Sequence, residues 1–471
     1  MSWRAFSYLT GGVLRQRFRW EPTKLAMVAG VGRIFHAAAA ALSLVSFAVP
    51  AGAQLPALPS VAPTLLQSHE AALVQDAVAV ADRLGVPPDE ALRQLRLQQA
   101  SVPVTDRIAA DHAGRLAGIA IEHAPVFRIV VRLSGNAPVA DEQADLAGER
   151  VPIAYIVGAP ASHVELVQAI ASYQSAIRAS LIDAPGLGID QRTGELVAVV
   201  SARDVSREGA EPLRARLAAL THVPVRLRVT DGSALDMAGE GPSMAGGLAG
   251  GMRMTGGVPG DPQQYLCTAG FVVTDGTRTA IATAAHCPDT LRVRDADDRE
   301  QVMPFGGQWG WGNQDVQVNV SAAPLAPTFF ADTGRSISRP VTGAQPRAGV
   351  RAGDVVCHRG ERTGYSCSLI ELTDFAPAGD LCGGACLPTW TTVTGPACKG
   401  GDSGAPVFLG TTAYGIVKGG SYRADRSCAF YFYMSTDYLP TGWRLLTASQ
   451  PAPDDGAETP PADHVGPADL R

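Results

Sequence analysis

The chain has 471 residues, enough for two domains with extensions, and its net charge is −6. With no long run of Lys or Arg on a helix face, that charge excludes a general affinity for nucleic acid. An apolar fraction of 46% excludes a chain too polar to fold, although Ala, Gly and Pro are abundant and charged residues make up only 18%.

At the N-terminus, Arg15, Arg17, Arg19, Lys24 and Arg33 precede an apolar stretch from Ala37 to Val49, followed by Ala51-Gly52-Ala53 before Gln54. A basic region, an apolar segment and a small-x-small motif are the layout of a signal peptide. Residues 1–53 are therefore expected to be removed on export, with Met27 as an alternative start. The roughly 13 apolar residues are short of the roughly 20 that a spanning helix needs, and no later segment resembles one, so no membrane span is expected in the mature chain.

Residues 54–230 contain no cysteine and read as mixed α/β. Ser162-His-Val-Glu165 forms a capping-box pattern, and Leu166, Ile170, Tyr173, Ile177 and Leu181 follow at helical spacing. Leu187–Ile189, a turn over Asp190–Gly194 and Leu196–Val200 predict a hairpin. Leu213, Leu217 and Leu220 then mark another helix, and Val225, Leu227 and Val229 alternate with Arg226 and Arg228 as in a half-exposed strand. A similar layout from Ile119 through Phe127–Leu133 suggests one or two small α/β units. His112, His123, His163 and His222 are scattered and form no catalytic constellation.

Residues 231–254 read as a flexible, protease-sensitive linker, since ten of the thirty residues 231–260 are glycine. From 255 to 446 the pattern changes to short alternating runs between Gly, Pro, Asp and Asn turns. Thr268–Thr274, Val316–Val320, Val407–Leu409 and Tyr414–Val417 are examples, and together they predict a barrel or sandwich. Residues 447–471, rich in Pro, Ala and Asp, are expected to be a disordered tail. All eight cysteines lie between Cys267 and Cys428, an even set that implies disulfides in an oxidising compartment. Cys382 and Cys386 with His358 could instead serve zinc, but their spacing fits no standard pattern. Neither metal nor cofactor is expected.

Three segments of this β region carry chemistry: Thr283-Ala-Ala-His286-Cys287, Gly312-Asn-Gln-Asp315-Val-Gln-Val318 and Gly400-Gly-Asp-Ser403-Gly-Ala-Pro406. A serine hydroxyl becomes a nucleophile only beside a base, and the base needs an orienting group. Histidine suits the base role because it titrates near neutrality, and a buried Asp fixes its tautomer. Glycines beside the serine let backbone N–H groups approach a developing oxyanion, here those of Gly401 and Ser403. Asp315 is preferred to Asp289, Asp297, Asp298 and Asp332 because it opens an alternating strand 29 residues after His286. Asp402 reads as a structural acid of the serine loop.

Thr-Ala-Ala-His-Cys and Gly-Asp-Ser-Gly, in this order, resemble the chymotrypsin-like serine proteases. Cys267-Thr-Ala-Gly-Phe271 and the loop from Val356-Cys357 to Ser366-Cys367 resemble the bacterial streptogrisin and α-lytic protease branch. The resemblance covers about Thr255 to Leu446. It implies an all-β catalytic domain of two Greek-key β-barrels, preceded by an α/β pro-region, with the triad His286, Asp315 and Ser403 at the barrel junction. It also implies the disulfides Cys267–Cys287, Cys357–Cys367 and Cys398–Cys428, leaving Cys382–Cys386, and a substrate pocket at Val417, Lys418, Gly419 and Gly420.

The pattern departs from that branch in places. Ala405 replaces a glycine, the loop at Lys399-Gly400 is short, and Lys418 stands where the family has a serine near the buried Asp. Pro396 and Ala397 supply no acid to the pocket, so small or medium apolar side chains are the expected specificity. Met254–Val258 offers no Ile-Val-like terminus for trypsin-type activation. The resemblance implies instead a pro-region that assists folding and inhibits the enzyme, with self-cleavage expected within 244–260. The expected product is a secreted monomeric serine endopeptidase acting on protein or peptide substrates, its own pro-region being its other partner. A non-catalytic homologue used for binding is the alternative. A serine esterase of another fold is disfavoured, because Ser403 lacks a Gly-x-Ser-x-Gly setting and His precedes Ser.

Overall fold

The computed structural model describes residues 65–230, 234–236, 239–240, 248–294, 299–395 and 397–448. The expected signal segment, half of the expected linker, Pro396, Asp297, Asp298 and all but two residues of the expected tail lie outside these.

The N-terminal half contains two α/β units. Helix α1, His69–Leu84, starts at Ser68, whose hydroxyl accepts the Ala71 N–H, and stops at Gly85 in the left-handed conformation. Helix α2, Pro88–Asp111, begins with proline where the first-turn N–H would be unsatisfied in any case. The inner side of α2 places Leu97 and Ile108 on a sheet of Leu116–Glu122, Arg128–Ser134, Glu149–Ala159 and Glu142–Leu146, in that spatial order. The second unit opens with α3, His163–Ser180, and its capping box forms as its sequence implies. The Ser162 hydroxyl accepts the Glu165 N–H, and the Glu165 carboxylate accepts the Ser162 N–H. Helices α4, Ala202–Glu208, and α5, Ala210–Thr221, follow the hairpin Gly186–Asp190/Glu195–Ser201. Leu166, Ile170, Leu213 and Leu217 are buried against that hairpin and Val225.

Its sheet takes a fourth strand from far downstream. Thr373–Ala376 pairs antiparallel with Gly186–Asp190, and Ala376 joins the buried cluster of this unit. No local pattern forecasts that pairing.

The C-terminal half is all-β. Gln264–Thr268 continues through Gly270 into Val272–Thr274, and Glu300–Met303 continues through Pro304 into Phe305–Trp309. Two five-stranded sheets share these bent strands. The pairings then run in a closed ring through Thr279–Thr283, Val316–Val320, the second bent strand, Thr290–Arg294 and Arg253–Gly257. The result is a six-stranded barrel. Gly270 is needed at its bend, because a Cβ there would sit 2.8 Å from Ala282 O and 2.9 Å from Gly404 O.

The second barrel closes in the same way. Val355–Gly360 pairs with Gly364–Leu369 and Pro406–Leu409, then come Thr412–Tyr422, Cys428–Ser435 and Thr391–Thr394. An Ile370–Val393 bridge completes the ring. The fold is that of two β-barrels behind an α/β region. The three disulfides implied by the resemblance, Cys267–Cys287, Cys357–Cys367 and Cys398–Cys428, are formed, and the remaining pair is joined as Cys382–Cys386.

Candidate active site

The register of the first barrel brings two of the three segments together. Thr283 pairs with Gln317 in an antiparallel ladder, so the residues just after Thr283 and just before Gln317 leave at the same end. His286 and Asp315 meet there. The His286 N–H lies 3.2 Å from Asp315 Oδ1, and Nδ1 lies 2.9 Å from Asp315 Oδ2. The Cys267–Cys287 disulfide fastens the His286 loop to the neighbouring strand.

Ser403 comes from the second barrel, in the turn before Pro406–Leu409. Its carbonyl accepts the Thr268 N–H at 2.8 Å, which ties the serine loop to the first barrel. Ser403 Oγ lies 2.6 Å from His286 Nε2. An ionised Asp315 can only accept, so Nδ1 carries the imidazole proton and Nε2 accepts from the serine hydroxyl.

Asp315 is buried. Burial pushes its carboxyl up, but the charges of His286 and Lys418 and two hydrogen bonds from His286 outweigh this and hold it at about 2. At neutral pH an ionised carboxylate therefore faces the imidazole.

Asp402 is buried as well but serves the loop. It accepts the Lys399, Arg362 and Thr363 N–H groups and the Thr363 hydroxyl. Burial raises its pKa against those bonds. Gly401 adopts φ +109°, where a Cβ would lie 2.3 Å from Arg362 Cγ. Neither the Gly401 nor the Ser403 N–H donates to another group among the described residues.

The four expected pocket residues separate. Val417 packs in the core of the second barrel, and its backbone bonds Gly404 and Ala405. Gly419 and Gly420 pair with Phe432 and Tyr431 on one side and with Asp236 and Leu235 on the other. Lys418 is an extra residue between Val417, opposite Tyr433, and Gly419, opposite Phe432. A bulge of this kind re-aims a side chain. The Lys418 ammonium turns inward, 3.4 Å from Asp315 Oδ2 and 5.4 Å from the centre of the Trp390 ring. Its carbonyl lies 3.5 Å from Ser403 Oγ.

Two short stretches that no local pattern marks as strands also reach these elements. Ala234–Asp236 pairs antiparallel with Gly419–Ser421, with Asp236 opposite Gly419. Gly239–Glu240 pairs antiparallel with Tyr265 and Leu266 of the first barrel. Both stretches fall inside the glycine-rich segment. Two histidines outside the β region are engaged elsewhere: His163 pairs with Asp374 at 2.8 Å, and His123 bonds Gln94 and the Gly353 carbonyl.

Two β-barrels, with His286 and Asp315 on one and Ser403 on the other, are the arrangement that the resemblance to the chymotrypsin-like serine proteases implied. Streptogrisin-C of Streptomyces griseus is 28% identical over 204 residues, 42% of this chain and 42% of that protein, so the chain spans less than half the length of that relative. Among solved structures, Thermobifida fusca protease A is 26% identical, covering 44% of this chain and all of that one with a TM-score of 0.34. The Nocardiopsis protease is 21% identical, covering 43% of this chain and all of that one with a TM-score of 0.35. No family profile matches the chain.

Proposed function

We propose that this chain is a secreted serine endopeptidase, made as a precursor, with His286, Asp315 and Ser403 as its triad. The observation that carries the reading is the continuous contact from Ser403 Oγ to His286 Nε2 at 2.6 Å and from His286 Nδ1 to Asp315 at 2.9 Å. In the acylation step, Ser403 Oγ attacks the substrate carbonyl carbon while His286 Nε2 takes the hydroxyl proton. The Gly401 and Ser403 N–H groups stabilise the oxyanion, and the imidazolium returns its proton to the leaving amine. Water repeats the sequence to release the acid. Four disulfides support an oxidising destination.

The N-terminal half acts as a folding and inhibitory pro-region. Its end is seated like a substrate, with Ala234–Asp236 on the second barrel and Gly239–Glu240 on the first. Both partner strands adjoin the Ser403 loop, so self-cleavage is expected between Asp236 and Gly239. The segment 244–260 is a poorer site than its composition implies, because Arg253–Gly257 is an inner strand of the first barrel, paired on both sides.

A fluorophosphonate probe on the protein as expressed tests the reading. It should label Ser403 alone, and Ser403→Ala should lose labelling and peptide hydrolysis, by about 10³-fold or more in rate. A wild-type protein that neither labels nor hydrolyses casein would favour the non-catalytic binding homologue.

A further inference from the structure

Lys418 stands unusually for a cation. Its side chain is 1% exposed, yet its nearest anions are the Asp315 carboxylate, already engaged by His286, and Asp236 of the segment lying in the cleft. Asp236 Oδ1 is 3.2 Å from Lys418 Nζ and 3.8 Å from His286 Nδ1. That oxygen is itself shielded from solvent and has no hydrogen bond of good geometry, so the Lys418 ammonium is the cation it faces, with the His286 ring beside it. The bulge at Lys418 is what aims the ammonium here.

We infer that Lys418 is a specificity-determining residue, and that the subsite beside Gly419 selects an acidic side chain in the substrate, as it holds Asp236 of the chain itself. This rests on the endopeptidase reading above. A buried ammonium sharing one carboxylate with an imidazole gains from a second carboxylate, whereas an amide or apolar side chain leaves it under-compensated. A basic side chain would add like-charge repulsion. The selection acts through register: only the residue paired with Gly419 reaches Lys418, so the preference is confined to one position.

Two measurements on protein expressed as the full chain test this. In the first, the heptapeptide Ala-Leu-Asp-Met-Ala-Gly-Glu, copied from residues 234–240, is compared with its Asn and Lys versions at the Asp position, with cleavage read by mass. The Asp peptide should exceed the Asn peptide in kcat/KM by about tenfold to a hundredfold, and Lys418→Met should bring the two within about threefold. Equal kcat/KM for the Asp and Asn peptides in the wild type overturns the inference. The second measurement needs no catalysis. In the full chain carrying Ser403→Ala, amide exchange at Ala234–Asp236 should quicken about tenfold with Asp236→Asn and equally with Lys418→Met, and the double variant should be no faster. Unchanged exchange overturns the pairing. If nothing is cleaved or labelled while exchange responds as stated, the endopeptidase reading fails and the acid-selective subsite stands.

Discussion

At the residue scale, the buried carboxylates pull stability in opposite directions with pH. Asp315 sits below its ordinary value, so its contribution is present above about 3.8 and is lost as pH falls toward 2. Asp354 is the reverse case. Burial raises it from 3.8 to about 7, against the Arg351 N–H bond and the Arg351 charge. A carboxyl that keeps its proton in the folded state favours folding below pH 3.8, and that advantage is lost as pH rises through about 7. Burial holds His358 down to about 4, which pulls stability the other way over much of the same range, so the Asp354 contribution is read as a difference. Between pH 4 and 7 the Tm of Ser403→Ala carrying Asp354→Asn, which cannot titrate, should rise relative to that of Ser403→Ala alone, and a constant difference would contradict the assignment. At this scale His286 and Ser403 were legible because each sits in a specific motif. Asp315 was legible from the strand it opens. Lys418 stood out as a misfit, but its partners did not, since a single-residue bulge and a distant strand leave no local pattern.

At the element scale, the N-terminal half is held to the barrels by polar contacts buried at the packing surface. Asp76 of α1 is fully buried, 2.8 Å from Arg339 Nη1, and also accepts the Tyr365 hydroxyl and the Gly410 N–H. Gln98 of α2 bonds both the N–H and the carbonyl of Val355. Arg339 is wholly inside, so Asp76→Ala should strand its charge and cost about 3–5 kcal/mol. Denaturant unfolding of the Ser403→Ala chain measures this, and a loss under 1 kcal/mol (roughly the worth of an exposed pair) would contradict it. Helices α1 and α2 were not legible beforehand. Their buried faces are built from Ala72, Ala77, Ala81, Gln94 and Gln98 as much as from leucine or valine, which blurs a 3.6-residue apolar rhythm. Helix α3 was legible because its cap and its Leu166, Ile170 and Ile177 stripe agree. The strand Thr373–Ala376 was hidden, since its pairing with Gly186–Asp190 is set by docking rather than by its own sequence.

At the scale of the whole molecule, two closed barrels bring His286 and Asp315 from one side and Ser403 from the other, and disulfides fasten loops near the junction. The all-β character of the C-terminal half was legible from its turns, but ring closure was not, because it depends on bent strands at Gly270 and Pro304. The segment read as a linker pairs with the second barrel at Ala234–Asp236 and with the first at Gly239–Glu240, and this unites the parts into one proposal: an endopeptidase occupied by its own chain. The most direct test is the intact mass of the wild type beside Ser403→Ala, each with and without a fluorophosphonate probe. The account predicts that the wild type is cut between Asp236 and Gly239 and carries one probe on the C-terminal fragment, while the variant stays uncut and unlabelled. If wild type and variant both remain uncut and unlabelled, the assembled triad does not make this chain a self-processing serine protease.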